Sequence, residues 1–340
     1  MVRGHLATGC GGVSSPQRDC TGAAVVEYVL TTRCGMVRWG KMKTRLSGFL
    51  LCCCAAICPA GEIWTQGVNA DAGWYDVNKD FDGVDDELCW AASSSNMLAW
   101  WQDRNAELAL ASGAPQGSDA IWSTFVQSFG NLSHSPGGDY GGYETDAFHW
   151  YLDGTIDADW YHISEYGLTQ GGYYQNLVST EGGIDFFWAI GMMADGAAMN
   201  AAIVNALTSG CGITLGIVSP TFSHSLTLWG VECNDAGTIT RMYLTDSDDE
   251  RVGQHGLFSV TCEAKDMLVE VWEGFSTELN VLHIESEDVL PGGGKYLGEG
   301  VYISDFSWIQ STMPRIPEPS PAALVLPALA ALSIRRRRNR

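Results

Sequence analysis

Polar and apolar residues alternate along Ser223-His224-Ser225-Leu226-Thr227-Leu228-Trp229-Gly230-Val231, the pattern of a strand with one buried face. A β-branched run from Ile213 to Val218 precedes it, and Asn234-Asp235-Ala236-Gly237 follows as a turn signal. A second strand from Thr238 to Thr245 then ends in the acidic stretch Asp246-Ser247-Asp248-Asp249-Glu250. These segments predict an antiparallel hairpin. Pairing Asn234 with Gly237 places His224 opposite Ser247, between Asp246 and Asp248, and a one-residue bulge would move it onto either aspartate. Upstream, Ala91, Ser94, Leu98 and Trp101 fall at helical spacing, and neither Gly nor Pro occurs between residues 84 and 112. Asp85 or Asp86 can cap this helix, which puts Cys89 in its first turn.

Two further apolar runs lie at the ends of the 340-residue chain. Met42, Lys43 and Arg45, then the apolar stretch Phe49 to Ile57 and the small residue Ala60, read as a secretory signal over residues 42–60. Residues 1–41 then read as an over-long start or an extension. At the other end, Pro317-Glu318-Pro319 leads into an apolar run from Pro321 to Ile334, closed by Arg335, Arg336, Arg337 and Arg338. This run, interrupted by Pro327, falls short of the roughly 20 residues of a comfortable span, and the arginines favour the cytoplasmic side. The three-part order resembles the PEP-CTERM sorting tail over residues 313–340. That resemblance implies transient membrane contact through the C-terminal helix and processing by an exosortase.

Charge narrows the partners of the body between these ends. Over residues 61 to 316, seven Lys and Arg face 37 Asp and Glu, a net charge of −30. Phosphate binding needs clustered cations, and residues 105 to 240 contain no Lys or Arg, so nucleic acid and anionic lipid are poor partners. Only Cys89, Cys211, Cys233 and Cys262 lie in the body, too few for a disulfide scaffold, so an apolar core is expected to hold the fold.

Two constellations carry chemistry. A thiol at a helix start faces unpaired backbone N–H groups, which favour the thiolate. Asp85, Asp86 and Glu87 oppose that effect at Cys89, so an imidazolium partner is needed. The hairpin supplies His224 with aspartates beside it, completing the nucleophile, base and orienter arrangement of a thiol protease.

The stretch from Gly73-Trp74-Tyr75-Asp76 through Lys79, Phe81, Gly83, Asp85-Asp86 and Leu88-Cys89 to Trp100-Trp101 is similar to the IdeS/Mac family of cysteine endopeptidases. His224, Leu228-Trp229-Gly230 and Thr245-Asp246-Ser247-Asp248 continue the likeness in the family's order. The resemblance implies an α+β, papain-like, two-lobed catalytic domain over residues 61–312. Its nucleophile would open a helix packed against an antiparallel sheet carrying His and Asp. It further implies Cys89 as nucleophile, His224 as base and acid, Asp246 as orienter and Asp248 in support. Lys79 matches the family lysine that contacts the oxyanion. Neither cofactor nor metal is called for, and the expected partner is a protein substrate met at the cell surface or in the extracellular matrix. Trp90 departs from the Gly of streptococcal members, resembles papain, and is expected at the cleft floor.

Two rival readings accompany this one. The first is a non-catalytic surface or matrix-binding protein on the same fold, using its many Trp and Tyr residues for glycans. The second is a calcium-dependent adhesion module, since Asn78, Asp80 and Asp82 alternate like calcium ligands and Gly83 follows. Counting from Asn78 puts Cys89 where such a loop needs a bidentate Glu.

Overall fold

The computed structural model describes residues 60–79, 85, 87–129, 142–155, 171–189, 195–219, 222–248, 256–272, 275–285 and 301–317. The export signal before residue 60 and the apolar and arginine parts of the tail lie outside these, as do Asp80, Asp82 and Asp86. Among the described residues no helix is long and apolar enough to cross a membrane.

The β-branched and alternating runs form an antiparallel sheet of strands β1 (Gly61–Trp64), β2 (Ile184–Trp188), β3 (Cys211–Ser219), β4 (Phe222–Cys233), β5 (Ile239–Thr245), β6 (Phe258–Trp272), β7 (Phe275–Glu285) and β8 (Tyr302–Gln310). The order is β1-β4-β3-β8-β7-β6-β5, and β4 also pairs with β5, so six strands close into a barrel. The remaining strands, β1 and β2, pair with β4 and β8. Ile213, Leu215, Ile217, Leu226, Leu228 and Met242 are among the residues of the barrel's core. Helix α5 (Gly196–Thr208) adds Met199, Ile203, Val204 and Leu207 to that core. Asp195 starts this helix by accepting the Ala198 N–H at 2.8 Å.

A second core lies among four helices: α1 (Cys89–Arg104), α2 (Ala106–Ser112), α3 (Ser118–Phe129) and α4 (Glu144–Leu152). Every residue of α1 from Trp90 to Gln102 is buried, because the other helices and the sheet cover it on all sides. Two of its buried serines bond within the helix: Ser93 donates to the Trp90 carbonyl at 3.1 Å and Ser95 to that of Ala91 at 2.7 Å. Strand β3 is sandwiched between α1 and the barrel core, which explains why it is buried along most of its length. Gly212 makes that contact possible, since a Cβ there would lie 2.6 Å from the Met97 sulfur and 2.8 Å from the Trp100 ring.

Two details depart from the sequence-based expectations. The N-cap of α1 is Leu88, without a side-chain cap. The chain first makes a turn in which the Leu88 N–H bonds the Asp85 carbonyl at 2.9 Å, leaving Asp85 three residues upstream of the cap position. Trp90 is not at a cleft floor but fully buried, edge-on to Phe125 and Phe129 with centroids 6.1 and 5.3 Å away. Adjacent residues near a helix start point in different directions, so Cys89 faces the sheet while Trp90 enters the helical core. Among the body cysteines, Cys233 is disulfide-bonded, whereas Cys89, Cys211 and Cys262 are free.

Candidate active site

The hairpin turn forms as its chemistry requires: the Gly237 N–H bonds the Asn234 carbonyl at 2.9 Å, and the Asn234 side chain accepts from Ala236 and Thr238 at 3.0 Å each. The register then shifts twice along β4 and β5, between Glu232 and Cys233 and between Leu228 and Gly230. Beyond Thr227↔Thr245 the ladder ends, freeing Asp246 to turn back towards His224 near the start of β4.

The segment ahead of the nucleophile is fastened to the same end of the sheet. The Thr245 hydroxyl donates to the Tyr75 carbonyl at 2.9 Å and accepts from Trp229 Nε1 at 2.9 Å. The Lys79 N–H bonds the Ser247 carbonyl at 2.8 Å. Asn96, buried in α1, accepts the Val77 N–H and donates to Thr227 Oγ1, both at 3.0 Å. One amide thus fixes the Lys79 segment, the nucleophile helix and the histidine strand relative to one another.

Cys89 is the first residue of α1, partly exposed and hydrogen-bonded to His224. His224 Nε2 lies 2.7 Å from Asp246 Oδ1, so the other ring nitrogen, Nδ1, serves the sulfur. Asp246 is buried, and its Oδ1 also accepts the Asp248 N–H at 2.9 Å. Lys79 Nζ lies 3.1 Å from Asp248 Oδ1, and Asp248 Oδ2 is 3.9 Å from His224 Nε2. The structure therefore brings all five expected residues into one cluster.

Burial alone would raise the Cys89 thiol, but the hydrogen bond and charge of His224, the nearby Lys79 ammonium and the Ser225 backbone N–H outweigh it and hold the thiol below its ordinary value. For His224, burial disfavours the cation, while the Asp246 carboxylate, the bond to Cys89 and Asp248 reverse that and hold the imidazole well above its ordinary value. The two shifts widen the pH interval in which thiolate and imidazolium coexist. That ion pair can attack an electrophilic carbonyl carbon and then deliver a proton to the leaving group.

Ligand atoms of His224, Asp246 and Asp248 lie within 4.8 Å of one another, close enough for a cation to bridge. Here the Lys79 ammonium supplies positive charge to Asp248. Of the calcium reading, Asn78 is described and Asp80 and Asp82 are not.

Sequence reasoning did not single out Asn96, Thr245, Ser225 or Glu144 as site residues. For Asn96 a signal existed: an amide within an apolar helical pattern must find partners when buried. Ser225 follows the histidine, and its hydroxyl donates to the buried Glu144 carboxylate group at 2.5 Å, across 81 residues of sequence. No local pattern announces that contact.

A thiol at a helix start, an imidazole on a barrel strand and a buried carboxylate behind it define a centre for thiol-nucleophile chemistry. Comparison with known proteins points the same way. The family model described as Mac 1 matches residues 63–110, the segment holding Lys79 and Cys89. An IgM protease of Streptococcus suis (strain P1/7) is 28% identical over 219 residues, with 55% of this chain and 18% of the relative covered. The chain thus spans less than a fifth of that relative's length. Both likenesses support the IdeS/Mac family of cysteine-type endopeptidases.

Proposed function

We propose that this protein is an exported cysteine endopeptidase of papain-like, two-lobed fold that cleaves a protein substrate through an acyl-thioester on Cys89. The observation that carries the reading is the continuous chain Cys89–His224–Asp246, with His224 Nε2 2.7 Å from the buried carboxylate. The Cys89 thiolate attacks the scissile carbonyl, and the Cys89 N–H and the Lys79 ammonium hold the oxyanion. Imidazolium His224 gives its proton to the leaving amine as the C–N bond breaks. His224 then takes a proton from water, which attacks the thioester and releases the acid, restoring the thiol–imidazole pair.

The acidic body suits an exported protein, and the Pro-Glu-Pro segment, apolar run and arginine block suit sorting to the cell surface or matrix. The relative's name refers to IgM; this chain's substrate is proposed only as a protein, because so little of that relative is covered. The test is a proteomic cleavage profile of the purified protein against a peptide library, with Cys89→Ala as control. Peptide-bond cleavage lost in Cys89→Ala supports the reading. Cleavage that persists there, or none with wild type, removes it.

A further inference from the structure

A second ionisable group lies behind the nucleophile, on the side away from Asp246 along the relay His224, Cys89, Ser225. Glu144 opens α4, and its side chain is buried, with 3% of the residue exposed. Its Oε1 accepts the Ser225 hydroxyl at 2.5 Å, and the Ser225 backbone N–H in turn bonds the Cys89 sulfur. The path from carboxyl group to sulfur therefore runs through one residue.

The sheet beneath is shaped for this group. Ser225 on β4 lies opposite Gly216 on β3, Gly216 opposite Asp305 on β8, and Asp305 opposite Trp188 on β2. Directly opposed residues of an antiparallel sheet share a face, so Ser225, Asp305 and Trp188 project together. Gly216 leaves a gap in that row, and the Asp305 carboxylate fills it: a Cβ on Gly216 would lie 2.5 and 2.6 Å from its two oxygens. Ser304 Oγ donates to Asp305 Oδ2 at 2.6 Å. Asp305 is thus turned over the bare glycine on the face that Glu144 covers.

The groups nearest Glu144 are acidic or neutral, and the cationic imidazole of His224 stands one residue further off, beyond Ser225. The helix of Glu144 adds Tyr143 and Asp146, β4 adds Ser225 and beyond it His224, and β8 adds Asp305 and Ser304. Helix α1 presents Cys89, with Asp103 and Arg104 at its far end, and β2 presents Trp188 and the exposed Asp185. Among the described residues no cation forms an ion pair with Glu144.

We propose that Glu144 is a positioning residue of the catalytic centre: as an uncharged acid it holds Ser225 so that its N–H faces the sulfur, and its ionisation shuts the enzyme off on the alkaline side. Burial, the Asp305 carboxylate and the Cys89 thiolate push Glu144 up to about 8, against the Ser225 bond and its own backbone N–H, which lower it. Burial also pushes Asp305 up, its Ser304 bond opposing. Two buried carboxyl groups facing each other cannot both ionise readily, so they share a proton near neutrality. When that proton leaves, a second negative charge stands beside Cys89, where it raises the thiol and repels the negative charge that develops on the carbonyl oxygen, so the barrier rises. The coupling is reciprocal: what the thiolate does to Glu144, ionised Glu144 does to the thiolate.

The inference rests on the protease reading for its kinetic arm and is independent of it for its titration arm. In 13C-glutamate-labelled full-length protein, one carboxyl signal should titrate near the value of about 8, vanish in Glu144→Gln, and move to lower pH in Asp305→Asn and in Cys89→Ser. In kcat/KM against pH, Glu144→Gln should leave the position of the acid limb in place and shift the alkaline limb upward. At about pH 9 a group titrating near 8 is ionised roughly ten to one, so Glu144→Gln should exceed wild type there about tenfold. Asp305→Asn should shift the alkaline limb the other way, an opposition that a merely structural role would not produce. No glutamate signal titrating above about pH 7 overturns the proposal, as does an active Glu144→Gln whose alkaline limb coincides with wild type. A protein without proteolysis whose glutamate signal still responds to Asp305→Asn and Cys89→Ser upholds the coupling and removes only the protease reading.

Discussion

Lys79→Met keeps most of the side chain's length and removes its charge. The ammonium lies 3.1 Å from Asp248, with side-chain exposures of 3% and 15%, so the substitution strands a carboxylate in a mostly buried place. Breaking such a pair costs about 3–5 kcal/mol, and the residual exposure of Asp248 points to the lower end, about 3 kcal/mol. Lys79 also helps hold the Cys89 thiol down, so its loss raises that thiol and moves the acid limb of alkylation to higher pH. As an oxyanion donor it should further be worth about 10² to 10³ in kcat with a smaller change in KM. Adding Asp248→Asn removes the stranded charge and should recover most of the stability, to within about 1 kcal/mol, without recovering kcat. Urea unfolding, the pH dependence of iodoacetamide modification and steady-state kinetics read the three effects separately. Wild-type kcat in Lys79→Met together with an unmoved acid limb would refute the placement of Lys79 in the catalytic machinery.

Asn96→Ala removes two buried hydrogen bonds and leaves the Val77 N–H unsatisfied, so urea unfolding should register a loss of about 2–4 kcal/mol, with kcat falling as the Lys79 segment loosens. Trp90→Ala should cost about 3–5 kcal/mol by the same assay, because the ring is fully buried against Phe125 and Phe129. Iodoacetamide should modify Cys89 in preference to the buried Cys211, whose thiol burial pushes up to about 11. Because the Cys89 thiol is lowered, its modification should persist to lower pH than that of an ordinary thiol and decline only as pH falls through that lowered value.

The elements nearest the chemistry were readable because local rules write them. Asn234 to Gly237 makes its turn with its own side-chain and backbone groups, and the alternation around His224 marks a strand whatever packs on it. Register was less legible. Straight pairing from Asn234 and Gly237 puts His224 opposite Ser247, whereas the Asn234 N–H bonds the Thr238 carbonyl, which sets the ladder one residue along before it ends at Thr227↔Thr245 and lets Asp246 reach the ring. Two compensating shifts along β4 and β5 fall where β4 also pairs with β1 and β5 with β6, partners that no hairpin sequence contains. The helix cap failed for a similar reason: Asp85 has the right chemistry, but its carbonyl is used in a turn that sets Leu88 at the helix start. Glu144 and Asp305 were illegible because each resembles an ordinary surface acid within its own segment. Only the β3, β4 and β8 pairings bring Asp305 over Gly216, in one row with the Ser225 that Glu144 binds.

The central claim is that Cys89 forms a covalent acyl-enzyme with help from His224 and Asp246. Acid quenching during turnover of a reactive peptide ester, followed by peptide mapping, reads this directly. Wild type should carry the acyl group on Cys89, Cys89→Ala should carry none, and His224→Ala and Asp246→Asn should acylate far more slowly at neutral pH. Peptide-bond cleavage at wild-type rate in Cys89→Ala, or an acyl group found on another residue during productive turnover, would contradict the account.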